Sequence, residues 1–232
     1  GRVVADVPRC RRCGRCLSDA PAQGSGDGAD DAGQGRDAAY EPGITFYLDG
    51  PRPADFCSAD DRNRAPHFAG GRLRARLEGV RDRYSVSLWL WNGLPAAARA
   101  TSGWLFSRGP DHGLAPHGDH LGVGGTAGHA GKLVFFTGDD SATAVVVAGR
   151  TAIPRWTWHH VVLVREGGTV RIYLDGQLEI ETRTAAPRAP AADHFFFGGR
   201  SDGDSSWEGR LDEIAFFHRA LTAADVARLA PR

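Results

Sequence analysis

Four thiols carry the first chemistry that the chain suggests: Cys10, Cys13 and Cys16 at intervals of three, and Cys57 about forty residues later. Four is the ligand number of structural zinc, but zinc sites usually pair two C-x-x-C knuckles. An iron-sulfur motif places its fourth thiolate close by. Gly14 and Leu17 stand where covalent haem attachment needs histidine. Two disulfides, free thiols and a metal site therefore remain as alternatives, with disulfides natural in an extracellular chain.

Carboxylates and imidazoles offer a second chemistry. Glu179 and Glu181 share one face of any strand that contains them, as a pair of acid/base carboxylates would need. Their apolar neighbours Leu178 and Ile180 alternate with them, which reads instead as an edge strand with one solvated face. Asp212 and Glu213 are adjacent, so they point to opposite faces. His112, His117, His120 and His129 lie in a Gly/Pro-rich stretch that reads as a long connection. His117, Asp119 and His120 suit a transition metal by type, but their spacing follows neither helix nor strand, and turn-holding is the favoured reading. No G-x-S-x-G elbow supports a serine hydrolase.

Aromatic residues suggest binding. Trp89 and Trp91 share one face of a strand whose other face carries Tyr84, Val86, Leu88 and Leu90. If the second face lines the core, both tryptophans are placed to stack on sugars. Trp156 and Trp158 repeat the pattern, and burial in a curved sheet is the favoured reading for all four. Trp207, flanked by Asp202 and Asp204, reads as a loop-exposed aromatic.

The elements that must position these residues are strands. Trp158 to Arg165 and Thr169 to Leu174 are joined by a Gly167-Gly168 turn. Asp175-Gly176 then leads into an alternating segment to Thr184, completing an antiparallel meander. Thr222, with Asp225 three residues on, predicts the capped start of a short helix running to about Leu229.

These residues carry a resemblance. The Trp158-His159-His160-Val161 opening, the Tyr173-Leu174-Asp175-Gly176 turn, Phe196-Phe197-Gly198-Gly199-Arg200 and the segment from Trp207 through Gly209-Arg210-Leu211-Asp212-Glu213-Ile214 resemble laminin-G-like, concanavalin-type jelly rolls in order. The likeness runs from about Ala38 to Leu229 and looks closest to domains of secreted or surface bacterial proteins. It implies an all-β fold, a two-sheet antiparallel jelly-roll sandwich at 38–232 with a short C-terminal helix. Residues 1–37 form an irregular Cys-containing, Gly/Asp-rich arm. In many members the resemblance also implies calcium at a sheet edge. Asp30, Asp31 and Asp212 are the matching positions, followed by Asp202 and Asp204, although Asp in Gly-rich loops also serves ordinary turn chemistry. Glycoside hydrolases share this sandwich, but their Glu-x-Asp-x-Glu signature is absent. The family's aromatic first strand is missing too, with only Val3, Val4 and Val7 in its place.

Composition fits one β-rich domain of 232 residues. The 28 basic and 28 acidic residues cancel, which argues against nucleic acid and anionic membranes as partners. No apolar run reaches the length of a membrane span, and no signal-peptide pattern opens the chain. With no methionine, the sequence reads as a processed product, a piece of a longer precursor or an incomplete one.

The function expected is a non-catalytic extracellular or cell-surface recognition or adhesion module for carbohydrate or a protein partner. Trp207, Asp202, Asp204, Trp89 and Trp91 are its candidate ligand residues, and calcium its candidate cofactor. A self-assembling subunit whose N-terminal arm docks on a neighbour is the alternative, and a concanavalin-fold glycoside hydrolase comes third.

Overall fold

The computed structural model describes residues 3–5, 27–28, 38–51, 63–77, 79–115, 118–138, 145–185 and 194–231. Cys10, Cys13, Cys16, Cys57, Asp30, Asp31 and His117 lie outside them. In chain order the strands are β1 (Val3–Ala5), β2 (Asp27–Gly28), β3 (Ala38–Tyr40), β4 (Ile44–Asp49), β5 (Arg64–Ala69), β6 (Leu73–Arg76), β7 (Arg83–Asn92) and β8 (Thr101–Arg108). They continue with β9 (Asp119–Gly125), β10 (Gly128–Thr137), β11 (Val145–Ala152), β12 (Trp158–Glu166), β13 (Thr169–Leu174), β14 (Gln177–Arg183), β15 (His194–Phe197) and β16 (Glu208–Phe217), before helix α1 (Ala223–Leu229).

Two sheets result. The first runs β14-β13-β12-β7-β16-β5-β4, with β1 added to β16, and the second β11-β10-β9-β8-β15-β6-β3-β2. Among the described residues every strand-to-strand pairing is antiparallel except β1 on β16, where Val3 pairs with Ile214 of the same chain; an isolated parallel bridge also joins Trp104 and Ser206. This short strand occupies part of the place for which the valines alone gave little signal. The meander read from the glycines is present as β12-β13-β14. Asp175 and Gly176 both take positive φ at its second turn, 49° and 81°, the left-handed pair that matches strand twist.

Alternation along the strands, broken by a bulge at Leu105 and Phe106, builds the core. Tyr84, Val86, Leu88 and Leu90 of β7 meet Leu105, Phe106, Leu121, Val123, Phe135, Phe195 and Phe197 of the facing sheet, all buried in one cluster. A fully buried ion pair crosses this apolar space. Asp119 on β9 accepts from Arg165 on β12, with Arg165 Nε 3.0 Å from Oδ2, and from the Tyr84 hydroxyl of β7. Asp119, Arg165 and Tyr84 are all fully buried. Burial, with the Asp119 charge beside it, pushes the Tyr84 phenol far up, so it stays a donor.

Helix α1 has the capping box expected of it: Thr222 Oγ1 accepts from the Asp225 N–H, and the Asp225 carboxylate accepts from the Thr222 N–H. Its apolar side lies on the outer face of the first sheet. There Leu221 and Val226 pack on Val162, Val164, Tyr173 and Phe217. Ser85 fixes the lead-in, accepting from the Leu221 N–H and donating to the Arg219 carbonyl. The helix is not long and apolar enough to cross a membrane.

Candidate carbohydrate-binding face

Register decides what the helix leaves uncovered. On the outer face of the first sheet, Val164, Ser85 and Phe217 form one row across β12, β7 and β16, and Val162, Ser87 and Ala215 the next. The helix side packs against these two rows. The following row is His160, Trp89 and Asp212. The last runs over five strands as Trp158, Trp91, Arg210, His67 and Thr45. Alternation puts all of these on the side away from the core.

The last row mixes flat aromatic and polar groups. Arg210 lays its guanidinium 4.4 Å from the Trp91 ring centroid, a cation–π contact, and donates to the Asp49 carbonyl at 2.8 Å. It makes no ion pair among the described residues, and its Nε has no hydrogen-bond partner. His67 sits edge-on to Trp91, ring centroids 6.5 Å apart, with Nδ1 also unpartnered. Burial, with the Arg210 charge next to it, lowers the His67 imidazole below its ordinary range, so near pH 7 it is neutral and offers both a donor and an acceptor. Trp91, Trp158, Arg210 and His67 are each half-buried. Fixed, half-buried rings beside polar side chains can stack on the apolar face of a sugar, while the unpartnered Arg210 Nε and His67 Nδ1 are themselves buried.

The row behind supports the first. Trp89 and His160 pack at 5.3 Å between centroids, and His160 Nε2 shares a 2.8 Å hydrogen bond with Ser87. Asp175 steadies this strand end, accepting from His159 Nδ1 at 2.7 Å and from the His160 N–H at 2.8 Å. Burial raises the Asp175 carboxyl, yet these hydrogen bonds leave it below the usual range.

The expected ligand set is not brought together. Trp207 is fully buried, not loop-exposed. Its indole sits in the core against Gly103, where an added Cβ would come within 3.1 Å of the ring. Its neighbouring aspartates are turned to Arg200 instead. Asp202 accepts from Nε and Nη2 at 2.9 Å each, and Asp204 lies 3.2 Å from Nη2. Thus held, Arg200 covers Trp104 and Phe136 on the outer face of the second sheet. Trp89 and Trp91 do lie together on the outer face of the first sheet. The favoured core reading of four tryptophans holds for the burial of Trp89 alone, at 8% exposed; none belongs to the inter-sheet cluster, Trp91 and Trp158 are half-buried, and Trp156 is 63% exposed in the turn before β12.

Two other expectations change. The long connection is in part strand β9, which buries His120 completely, with Nδ1 2.8 Å from Ser107 Oγ. Burial lowers that imidazole to about 4. His112 and His129 lie apart from it, in a turn and on β10. Glu179 and Glu181 sit on the edge strand, as alternation predicts, but a bulge between Leu178 and Ile180 turns Glu179 toward β11. There Glu179 accepts from the backbone N–H groups of Arg150 and Thr151 and from the Thr151 hydroxyl, while Glu181 accepts from Arg171 at 2.8 Å.

Asp212 is buried beside Gly50, whose Cα approaches so closely that a Cβ would lie 2.7 Å from Oδ2. Among the described residues no group of three or more His, Cys, Asp or Glu side chains is arranged to hold a metal ion. Beside Gly50 the Asn63 side chain turns its amide nitrogen to the Pro51 carbonyl.

Arg210 and His67 were not legible in the sequence as site residues. No local pattern links them to the tryptophans, since strands distant in the chain bring them into one row.

Fold and face together define a concanavalin-type sandwich with one partly uncovered aromatic sheet face. Residues 69–227 match the laminin G 3 family, described as the concanavalin A-like lectin/glucanases superfamily, and the chain belongs to that family. No curated protein sequence matches it. Similar solved structures include domain 4 of AbnA, a GH43 extracellular arabinanase from Geobacillus stearothermophilus in complex with arabinotriose. It has 23% identity and a TM-score of 0.57, with 81% of this chain and 87% of that one covered. A botulinum neurotoxin type C structure, whose title concerns cell entry dependent on two ganglioside molecules, has 14% identity and a TM-score of 0.55, covering 85% of this chain and 46% of that one. Trypanosoma rangeli sialidase has 16% identity and a TM-score of 0.60, covering 89% and 31%. The chain thus spans less than half of the toxin and sialidase chains, and these likenesses establish the fold alone.

Proposed function

We propose that this chain is a non-catalytic carbohydrate-recognition module of an extracellular or surface protein, binding through the outer face of the first sheet beyond α1. The observation that carries the reading is the row Trp158, Trp91, Arg210 and His67, half-buried aromatics interleaved with polar side chains on a sheet face that α1 leaves uncovered. The arabinotriose bound to the arabinanase domain and the gangliosides of the toxin title support a sugar as the ligand class. The commitment of Glu179 and Glu181 to backbone and arginine partners supports a role without catalysis.

The test is a glycan array probed with the wild-type chain and Trp158→Ala, followed by an assay for new reducing ends on each glycan bound. The reading expects a narrow set of bound glycans, loss of signal in the variant and no cleavage. Cleavage of a bound glycan, or an unchanged array pattern in Trp158→Ala, would contradict it.

A further inference from the structure

The two exposed large aromatic side chains among the described residues, Trp156 at 63% and Tyr47 at 56%, flank this same row. Trp156 sits one step beyond the Trp91 and Trp158 pair, its N–H donating to the Asn92 carbonyl at 2.9 Å. Arg155 lies 4.2 Å over its ring, donates to the Gly93 carbonyl and, like Arg210, keeps its Nε unpartnered. Tyr47 lies exposed on edge strand β4, two residues beyond Thr45 at a break in its pairing with β5. Both residues hold a positive φ, 63° at Trp156 and 71° at Tyr47. Such a backbone is costly for a bulky side chain, and its cost is usually met at functional sites. At Tyr47 the strain coincides with a register shift between Thr45 and Leu48, and bulges of this kind re-aim side chains.

The track is also long, and its arginines are already engaged. Five strands spaced about 4.8 Å apart span about 19 Å. Along it Arg210 is accompanied by the exposed Glu208, both close enough to His67 to act on it. Arg64 pairs with Asp49 at the Tyr47 end, and Arg155 is committed to the Trp156 ring and the Gly93 carbonyl. Cations paired or committed in this way give little charge-based preference for a polyanion.

Resting on the carbohydrate reading above, we infer that the ligand is a neutral, linear oligosaccharide lying across the strands from Trp156 to Tyr47, so that an internal stretch of chain is bound. Trp91 and Trp158 are the central platform, and Tyr47 serves the distal sugar.

The experiment is calorimetric titration of the wild-type chain, Tyr47→Ala and Trp91→Ala with linear arabino-, xylo- and cello-oligosaccharides, disaccharide through hexasaccharide, at low and high salt. In the series that binds, affinity should climb about tenfold or more with length and then level off, without salt dependence. Tyr47→Ala should remove about tenfold from the longest members and leave the disaccharide unchanged. Trp91→Ala should weaken every length. Affinity independent of length, a Tyr47→Ala loss equal at all lengths, or salt-sensitive binding overturns the linear-chain inference and leaves the recognition reading standing. Equal affinity of Trp91→Ala and wild type, or no binding to any of the three series, overturns both.

Discussion

Arg210 is held flat on the Trp91 ring at 4.4 Å by its own hydrogen bond to the Asp49 carbonyl. A planar guanidinium fixed in this way presents its free edge in one direction, whereas an ammonium would not stack. Arg210→Lys should therefore weaken sugar binding about tenfold while shifting the thermal midpoint by only a few degrees. Calorimetric titration beside differential scanning calorimetry separates the two effects. Full affinity in the lysine variant would show that only the charge at this position matters.

The buried pair of Asp119 and Arg165 is a matter of stability, not of recognition. Asp119→Asn leaves a fully buried guanidinium without its carboxylate, which costs about 3–5 kcal/mol. Tyr84→Phe, which removes one donor and leaves the ion pair intact, should cost about 1–2 kcal/mol. Urea denaturation of both variants checks the order, and a milder effect for Asp119→Asn than for Tyr84→Phe would contradict the account.

His120 gives stability a pH dependence. Its folded pKa is about 4, against an ordinary 6.5, so between these values the unfolded chain binds the extra proton. The contribution is complete above about pH 6.5 and is lost as pH falls toward 4, in total about 3 kcal/mol. Urea titrations across that window should show the loss in the wild-type chain and a flatter profile in His120→Phe. A parallel profile would assign the slope to other groups.

Glu179 closes an edge. Its carboxylate occupies the N–H groups of Arg150 and Thr151 on β11, which would otherwise offer a free strand edge. Although burial raises it, these hydrogen bonds hold the carboxyl below its usual range. Its contribution is thus present above the unfolded value near 4.5 and lost as pH falls through the lower folded value. Glu179→Ala should increase aggregation on mild heating near neutral pH, measured by light scattering, with glycan binding unchanged. Loss of binding in this variant would place the site elsewhere.

Local pattern carried much of the fold and little of the site. The meander, the capping box and the alternation of β7 are set by neighbours in sequence, so glycine turns and period-two patterning were enough to read them. Trp207 shows the limit. Its flanking Asp and Ser residues read as an exposed loop, but Arg200 draws the aspartates away and Gly103 leaves a slot into which the indole is buried. His120 was misread for a related reason: β9 takes glycines at positions where Trp104 packs against the sheet, and those glycines look like a loop. The row itself joins residues from Thr45 to Arg210, and its register comes from pairings that no short window contains.

The most direct test of the central claim is calorimetric titration of Trp91→Ala against the wild-type chain with whichever oligosaccharide the wild type binds, with near-ultraviolet circular dichroism to confirm the fold. The account predicts that the variant keeps its tertiary spectrum and loses sugar binding by about a hundredfold or more, because the ring is both platform for the ligand and support for Arg210. Undiminished affinity in a folded Trp91→Ala chain would contradict it.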